Sequence, residues 1–401
     1  MEPRSCVLPP EPSPAREREK PARPKDDPQR PALRLRIRDK ESPFYVPPFL
    51  DFLGGLVDRY RNFWLSLGRL ESNLLADELR SVCVTMPIYV CGLARAGTTL
   101  LHEILVSAPG VASHRIKDYP MVFTPYWWRQ ATAHLRPTAP RERVHQDRVR
   151  ITPQSPDALE EMLWMAFFPR CHDPSIPNQL TASSRCPAFE VFYCMHLRKL
   201  LLAEQATRYA AKANYHIARL PYLVRLFPDA KFVVMVRAPV SHIASLIRQH
   251  GWFSQGQRRH PRALTFMQRS GHFEFGRDRR PLNLGDSRRV QAIQRAWAAG
   301  EEVCGWACYW DMVYSYLARI LAEDAAVRAA AQIVRFEDLC AAPAKTIAAV
   351  LRHCALPDVE RISALFLPLI RSPDYYTHSF SPAEFDLIHE QTASTASQWG
   401  Y

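Results

Sequence analysis

The sequence predicts an α/β fold of three layers, a central and mostly parallel sheet flanked by helices. Three observations predict it. The apolar β-type run Pro87-Ile88-Tyr89-Val90-Cys91 stops at Gly92, and a second glycine, Gly97, opens a helical pattern through Thr98, Thr99, Leu100 and Leu101. A second buried-strand run, Lys231-Phe232-Val233-Val234-Met235-Val236, follows the turn Phe227-Pro228-Asp229-Ala230 and leads into another helical stretch. Helical patterns over residues 158–168, 189–211 and 289–321 surround these strands and a short one over 332–336. Strands alternating with helices give a parallel sheet covered on both faces.

Taken in chain order, residues 1–42 are rich in Pro, Arg, Lys, Glu and Asp. That composition cannot offset the entropy of ordering, so a disordered arm is expected. Residues 43–82 form a helical segment expected to pack on the core, with Phe49, Phe52, Leu53, Leu56, Tyr60, Phe63, Trp64 and Leu67 at helical spacing. The second reading of residues 48–80 is a membrane-surface contact that meets lipid-like acceptors. Residues 83–401 are expected to form the α/β domain. There is no signal-peptide pattern and no apolar run of membrane-spanning length. The expectation is therefore a soluble, cytoplasmic protein.

The chain holds 52 Lys+Arg against 40 Asp+Glu, a formal net charge of +12. Such a balance attracts multiply anionic ligands. No helix-turn-helix, zinc-finger or RNA-binding pattern accompanies it, which argues against nucleic acid. The ten cysteines are scattered. Cys304 and Cys308 share a helix face but lack a second pair at metal spacing, and Cys91 reads as strand packing, so free thiols and no structural metal are expected.

The segment from Gly92 to Thr99 has the layout of a phosphate-cradling loop. Backbone N–H groups and the positive end of the following helix converge on one anionic spot. The spacing Gly-x4-Gly-Thr-Thr matches a nucleoside-triphosphatase loop, but Thr98 stands where such a loop carries lysine. ATP or GTP hydrolysis is therefore disfavoured, and Arg95 offers a planar cation instead. Gly92, Arg95, Ala96, Gly97, Thr98 and Thr99 are the candidate ligand contacts. Arg237 ends the second strand, on the ligand edge of an open α/β sheet, and Ser245 follows eight residues on.

The loop Ala94-Arg95-Ala96-Gly97-Thr98-Thr99 resembles the 5′-phosphosulfate loop of sulfotransferases that use 3′-phosphoadenosine 5′-phosphosulfate (PAPS), of the bacterial type. Ala94 and Ala96 stand where that family has proline and serine. Arg237-Ala238-Pro239 with Ser245 resembles the family's 3′-phosphate motif, with Ala238 in place of a polar residue. Lys212-Ala213-Asn214-Tyr215-His216 resembles the segment whose lysine contacts the sulfuryl group. Ser155-Pro156-Asp157-Ala158-Leu159-Glu160-Glu161 with Trp164, and Val334-Arg335-Phe336-Glu337-Asp338-Leu339 with Pro343, extend the likeness over about two thirds of the chain.

The resemblance implies sulfuryl transfer from PAPS by in-line displacement. The acceptor would be a hydroxyl or amine on a small molecule, carbohydrate or lipid-like compound, and adenosine 3′,5′-bisphosphate would leave. Arg95 and Lys212 would stabilise developing charge, and Arg237 with Ser245 would hold the 3′-phosphate. Cytosolic members place a histidine two residues after the lysine, but here that position is Asn214, which cannot accept a proton. Other branches use an acidic residue in the loop after the first helix. Asp118 is therefore the expected general base, with His114 and His216 as alternatives. Tyr119, Phe123, Tyr126, Trp127 and Trp128 are candidates for an acceptor pocket or for core. Two other readings stay open: a catalytically silent PAPS-binding protein, and a P-loop small-molecule kinase.

Overall fold

A parallel sheet needs strands that can be buried on both faces, and five segments supply them. In the computed structural model, which describes residues 41–134, 139–145, 150–371 and 380–401, these are β1 (Ile88–Cys91), β2 (Val111–Ala112), β5 (Arg208–Lys212), β6 (Lys231–Val236) and β7 (Ala331–Arg335). Two further short strands, β3 (Arg141–Glu142) and β4 (Arg150–Ile151), form an antiparallel ribbon of their own. The sheet order is β2-β5-β1-β6-β7, and every pairing within it is parallel. Nearly all of the arm expected over residues 1–42 lies outside the described residues.

Alternation along the strands separates two apolar layers. Tyr89, Cys91, Phe232, Val234 and Val236 face one side, where the helices Pro187–Glu204, Pro239–Arg259 and Glu302–Glu323 pack. Ile88, Val90, Val233 and Met235 face the other, against Thr98–Val106, Pro343–His353 and Val359–Phe366. This period-two division is the three-layer α/β architecture expected from the sequence.

Register sets the working edge. Val90 pairs with Lys212, Cys91 with Val234, and Val236 with Arg335. The carboxyl ends of β1, β5, β6 and β7 therefore lie along one edge. From β1 the chain crosses to the edge strand β2, returns to β5 beside β1, and then crosses to β6 and β7 on the other side, so β1 marks the switch point at which open α/β sheets bind ligands.

Several elements differ from expectation for local reasons. The helical pattern over 189–211 contains a helix, Pro187–Glu204, that stops at Gln205 in the left-handed region; the rest is β5. Arg208-Tyr209-Ala210-Ala211-Lys212 has no β-branched residue and becomes a strand by pairing with β1 and β2. The pattern over 289–321 is two helices, Ser287–Ala298 and Glu302–Glu323, separated at Gly300 with φ +81°. The segment after Pro48 comprises Pro48–Arg59, Arg61–Leu74 and Ala76–Arg80.

That segment docks with an unexpected face. Its buried positions include Gly54, Val57, Leu65, Gly68, Glu71 and Ser72, whereas Phe49, Phe52, Leu56, Tyr60 and Phe63 are exposed. The glycines allow close approach: a Cβ on Gly54 would meet the Tyr119 hydroxyl at 2.2 Å, and one on Gly68 the Phe123 carbonyl at 2.5 Å. Arg269 donates to the Asp51 carboxylate at 2.7 Å. Lys199 reaches across to Glu71 at 2.8 Å and donates to the Gly68 carbonyl at 2.8 Å, with both charged groups fully buried. Burial pushes the Glu71 carboxyl up and the Lys199 ammonium down, each partly opposed by its partner. Removing one member of such a pair strands the other charge, at a cost of about 3–5 kcal/mol. Glu71→Ala is accordingly expected to lower the unfolding free energy by that order in urea titration; a change below about 1 kcal/mol would show that the pair does not anchor the segment.

Candidate functional site

The loop leaving β1 turns on two glycines. Gly92 has φ +148°, and a Cβ there would lie 2.5 Å from the Met235 carbonyl of β6. Gly97, at φ +97°, caps the helix Thr98–Val106, and a Cβ there would meet Phe336 at 2.8 Å. Between them Arg95 holds φ +72°, a conformation that costs a non-glycine residue energy and turns the loop. The first N–H groups of the helix face the space this turn encloses. Ala96 is fully buried in the apolar layer beneath the loop, so its side chain packs with the core while its N–H bonds the Leu93 carbonyl at 3.1 Å. Thr98 is buried, and Thr99 is partly exposed.

Arg237 leaves the end of β6 and returns to this loop. Its Nη1 donates to the Arg95 carbonyl at 3.1 Å and its Nε to Ser241 at 3.2 Å, and its guanidinium stacks 4.7 Å from the Phe336 ring. Arg95 Nε donates in turn to Ser245 Oγ at 3.3 Å. Arg95, Arg237 and Ser245, noted separately in the sequence, thus form one connected group. His242, on the same helix as Ser245, donates to the Ala94 carbonyl at 2.8 Å; burial, with Arg237 beside it, pushes its ring down to about 3 and keeps it neutral. The β7 segment closes the arrangement, since Glu337 accepts from the Ala238 N–H at 3.1 Å and also from the Tyr401 hydroxyl.

Lys212 stands at the end of β5 beside β1. Burial lowers its ammonium; Glu274 and Asp157 favour its charge, whereas Arg143 and Arg95 oppose it. Glu274 accepts from Asn214 Nδ2 at 2.7 Å and lies 3.7 Å from His272 Nδ1. Burial alone would raise the Glu274 carboxyl, but His272 and Lys212 hold it down at about 2. Burial likewise pushes the His272 ring down, and Glu274 more than offsets this, so its net shift is upward. Neither residue stood out in the sequence. The available signal was His272-Phe273-Glu274 directly after Gly271, which ends the helix Pro261–Ser270 in the left-handed region.

The profile of the family described as Sulfotransferase family matches residues 87–280, a span that holds the loop, Lys212, Arg237, Ser245, His272 and Glu274. Residues 87–280 belong to the sulfotransferase family. No curated protein matches the chain. Among solved structures it is similar to the sulfotransferase STF1 from Mycobacterium tuberculosis, with 20% identity over 91% of this chain and 92% of that one, at TM-score 0.44. It is also similar to the sulfotransferase STF9 from Mycobacterium avium, with 15% identity over 94% and 92%, at TM-score 0.48.

Other candidates lie elsewhere in the packing. Asp118 is buried and caps its own short turn, accepting from the Arg115 N–H at 2.8 Å and from Arg129 Nη2 at 2.7 Å and Nε at 3.3 Å. Burial alone would raise this carboxyl, but His114 and Arg129 bring it well below the ordinary range. In this structure it forms a buried ion pair with Arg129. His114 is buried against His196, their Nε2 atoms 3.2 Å apart. His216 is fully buried, and burial pushes its ring down to about 4. Tyr119 and Phe123 are core, with Tyr119 packed on Phe266 at 4.6 Å, and Trp128 donates to the Lys117 carbonyl at 2.7 Å.

Glu160 and Glu161 are buried with Trp164. Glu160 accepts from the Trp164 and Tyr209 side chains at 2.7 Å each, and Glu161 accepts two hydrogen bonds from Arg219. Glu161, Cys171 and His172 bring ligand-type atoms within 4.8 Å of one another, but the Arg219 guanidinium already supplies the positive charge there. Among the described residues no helix is long and apolar enough to cross a membrane, and the described cysteines are free thiols.

The placement of Asp118 separates anchor from base. Asp118→Asn is expected to lower unfolding free energy by roughly 1.5–3 kcal/mol, the scale of a charge-assisted hydrogen bond, while turnover at saturating substrate changes only a few-fold. Unchanged stability together with a hundredfold loss of turnover would return the base role to Asp118.

Proposed function

We propose that the chain is a PAPS-dependent sulfotransferase that acts on a hydroxyl or amine acceptor. The observation that carries this reading is the connected group of Arg95, Arg237 and Ser245 around a glycine-hinged loop at the switch point of the sheet. Two guanidinium groups and a helix N-terminus suit a ligand with two separate phosphates. PAPS supplies the sulfuryl group, and attack of an acceptor oxygen or nitrogen on sulfur releases adenosine 3′,5′-bisphosphate.

Within this reading the chain divides the work by position. The loop N–H groups and Arg95 neutralise charge on the 5′-phosphate side, where the bond to sulfur breaks. Lys212 offers a second cation from the neighbouring strand. Arg237 and Ser245 grip the 3′-phosphate and so discriminate against AMP and ATP. The base role falls to His272, with Glu274 as its positioning partner: both share the field of Lys212, whereas Asp118, His114 and His216 are consumed by packing. His272 takes the acceptor proton as the new bond to sulfur forms, and Glu274 stabilises the imidazolium.

Calorimetry tests the donor site. Adenosine 3′,5′-bisphosphate should bind far more tightly than AMP, and Arg237→Ala should cost at least about tenfold, since a charge-assisted contact contributes roughly 1.5–3 kcal/mol. Equal affinity for the two nucleotides would refute the 3′-phosphate site. Transfer of radiolabel from PAPS across an acceptor panel tests the reaction itself.

The pH profile tests the base. A histidine must be neutral to accept a proton, so activity falls as pH drops through its pKa. Glu274 raises that pKa above the ordinary value of 6.5. The acid limb of kcat/KM should therefore lie above pH 6.5, and Glu274→Gln should move it to lower pH. An acid limb that does not move in Glu274→Gln would remove the pair from the mechanism.

A further inference from the structure

The segment that carries His272 and Glu274 has no regular structure to hold it. Residues 271–280 form neither helix nor strand. The His272 N–H donates to the Met267 carbonyl and the Arg280 N–H to the Phe273 carbonyl, each at 2.8 Å. Both bonds run to chain close by in sequence, so neither fixes the segment against the sheet. That tie comes from two consecutive residues. Lys212 ends β5, the Ala213 N–H still donates to the Val90 carbonyl of β1 at 3.2 Å, and the chain then enters the turn Asn214–Arg219. Asn214 Nδ2 donates to Glu274 Oε1 at 2.7 Å, and the Tyr215 hydroxyl accepts the Phe273 N–H at 2.8 Å. Asn214 and Tyr215 are both buried, and the His172 ring packs on Tyr215 at 4.3 Å and on Phe273 at 4.8 Å.

We infer that Asn214 and Tyr215 are positioning residues that hold the pair His272 and Glu274 in place beside Lys212, an inference that rests on the base role proposed above. Tyr215 fixes the backbone between the two residues. Asn214 fixes the carboxylate: it occupies Oε1, while Oε2 is the oxygen that lies 3.7 Å from His272 Nδ1. An ionised carboxylate only accepts, so the amide nitrogen of Asn214 must face it. A carboxylate on the Nδ1 side of an imidazole favours the proton there and leaves Nε2 to accept one. Asn214 cannot take the acceptor proton itself, and it acts through the pair that can. Lys212 belongs to the same short stretch of chain, so one turn sets the spacing between cation and base.

The test uses the full chain, with a cooperative thermal transition certifying the fold of each variant, and its first readout is independent of turnover. Burial disfavours the His272 imidazolium; Glu274 and Asp157 favour it, and Lys212 opposes it. NMR titration of the His272 ring, assigned with His272→Gln, should give a pKa above 6.5 in the wild type. Both Glu274→Gln and Asn214→Ala should lower it, the second because a carboxylate without its donor no longer stays beside the ring. Asn214→Ser replaces Asn214→Ala should the alanine variant not fold. The second readout is kinetic. Asn214→Ala alone should lower kcat at least about tenfold. Added to Glu274→Gln it should cost less than about twofold more, because it acts through Glu274. Tyr215→Phe keeps the ring, removes the acceptor of the Phe273 N–H, and should lower kcat to a similar extent with KM for PAPS unchanged. A His272 pKa that moves in Glu274→Gln but stays in Asn214→Ala, or losses that simply multiply in the double variant, would overturn the positioning role and leave the base role standing. Full turnover in His272→Gln would overturn the base role and this inference with it.

Discussion

Everything at the site depends on the parallel pairing of β1 between β5 and β6. Parallel strands present their carboxyl ends along one edge, so residues far apart in sequence reach one place without any long side chain having to span the molecule. Val90 beside Lys212 fixes the second cation, and Cys91 beside Val234 fixes the loop against the strand that ends in Arg237. A one-residue slip of β6 would turn Val234 and Val236 toward the other apolar layer, so burial on both faces enforces the register that function requires.

The sequence was most legible where the chemistry is local. β1, β6 and the glycine-hinged loop between β1 and its helix are continuous strings whose patterns name their own structure. The spacing of Ser245 from Arg237 is of the same kind, since one helix connects them. β5 was not legible: its alanines and charged residues carry helix propensity, and only neighbours on both sides make it a strand. Nor was the pairing of His272 with Glu274 beside Asn214, since it joins two segments about sixty residues apart. The ion pair of Asp118 was not legible either, since its partner Arg129 arrives from the next helix.

Buried charge recurs as an assembly device. Glu71 with Lys199, Asp118 with Arg129, and Glu161 with Arg219 each join segments through an ion pair that is nearly or wholly closed to solvent. Such pairs add little net stability over apolar packing, because desolvation consumes most of the attraction. What they contribute is position, since a misplaced segment would strand a charge in the core. This explains how the helices after Pro48 can dock through glycines and a glutamate while their phenylalanines stay outside.

The clamp around Arg237 has a thermodynamic corollary. Its guanidinium is set by the carbonyl of Arg95 and the ring of Phe336, while Glu337 ties the Ala238 N–H to the Tyr401 hydroxyl. Tyr401 follows a helix, Pro382–Gln398, whose Thr395 bonds Asp311 and whose neighbour Trp399 packs near Tyr314 at 6.1 Å. The placement of Arg237 therefore draws on strands, loop and the residues after the last helix together. Under the proposed function, ligand occupancy is thus linked to global folding and not to the order of one loop: a saturating bisphosphate nucleotide would raise the stability of the whole domain by RT ln(1 + [L]/Kd).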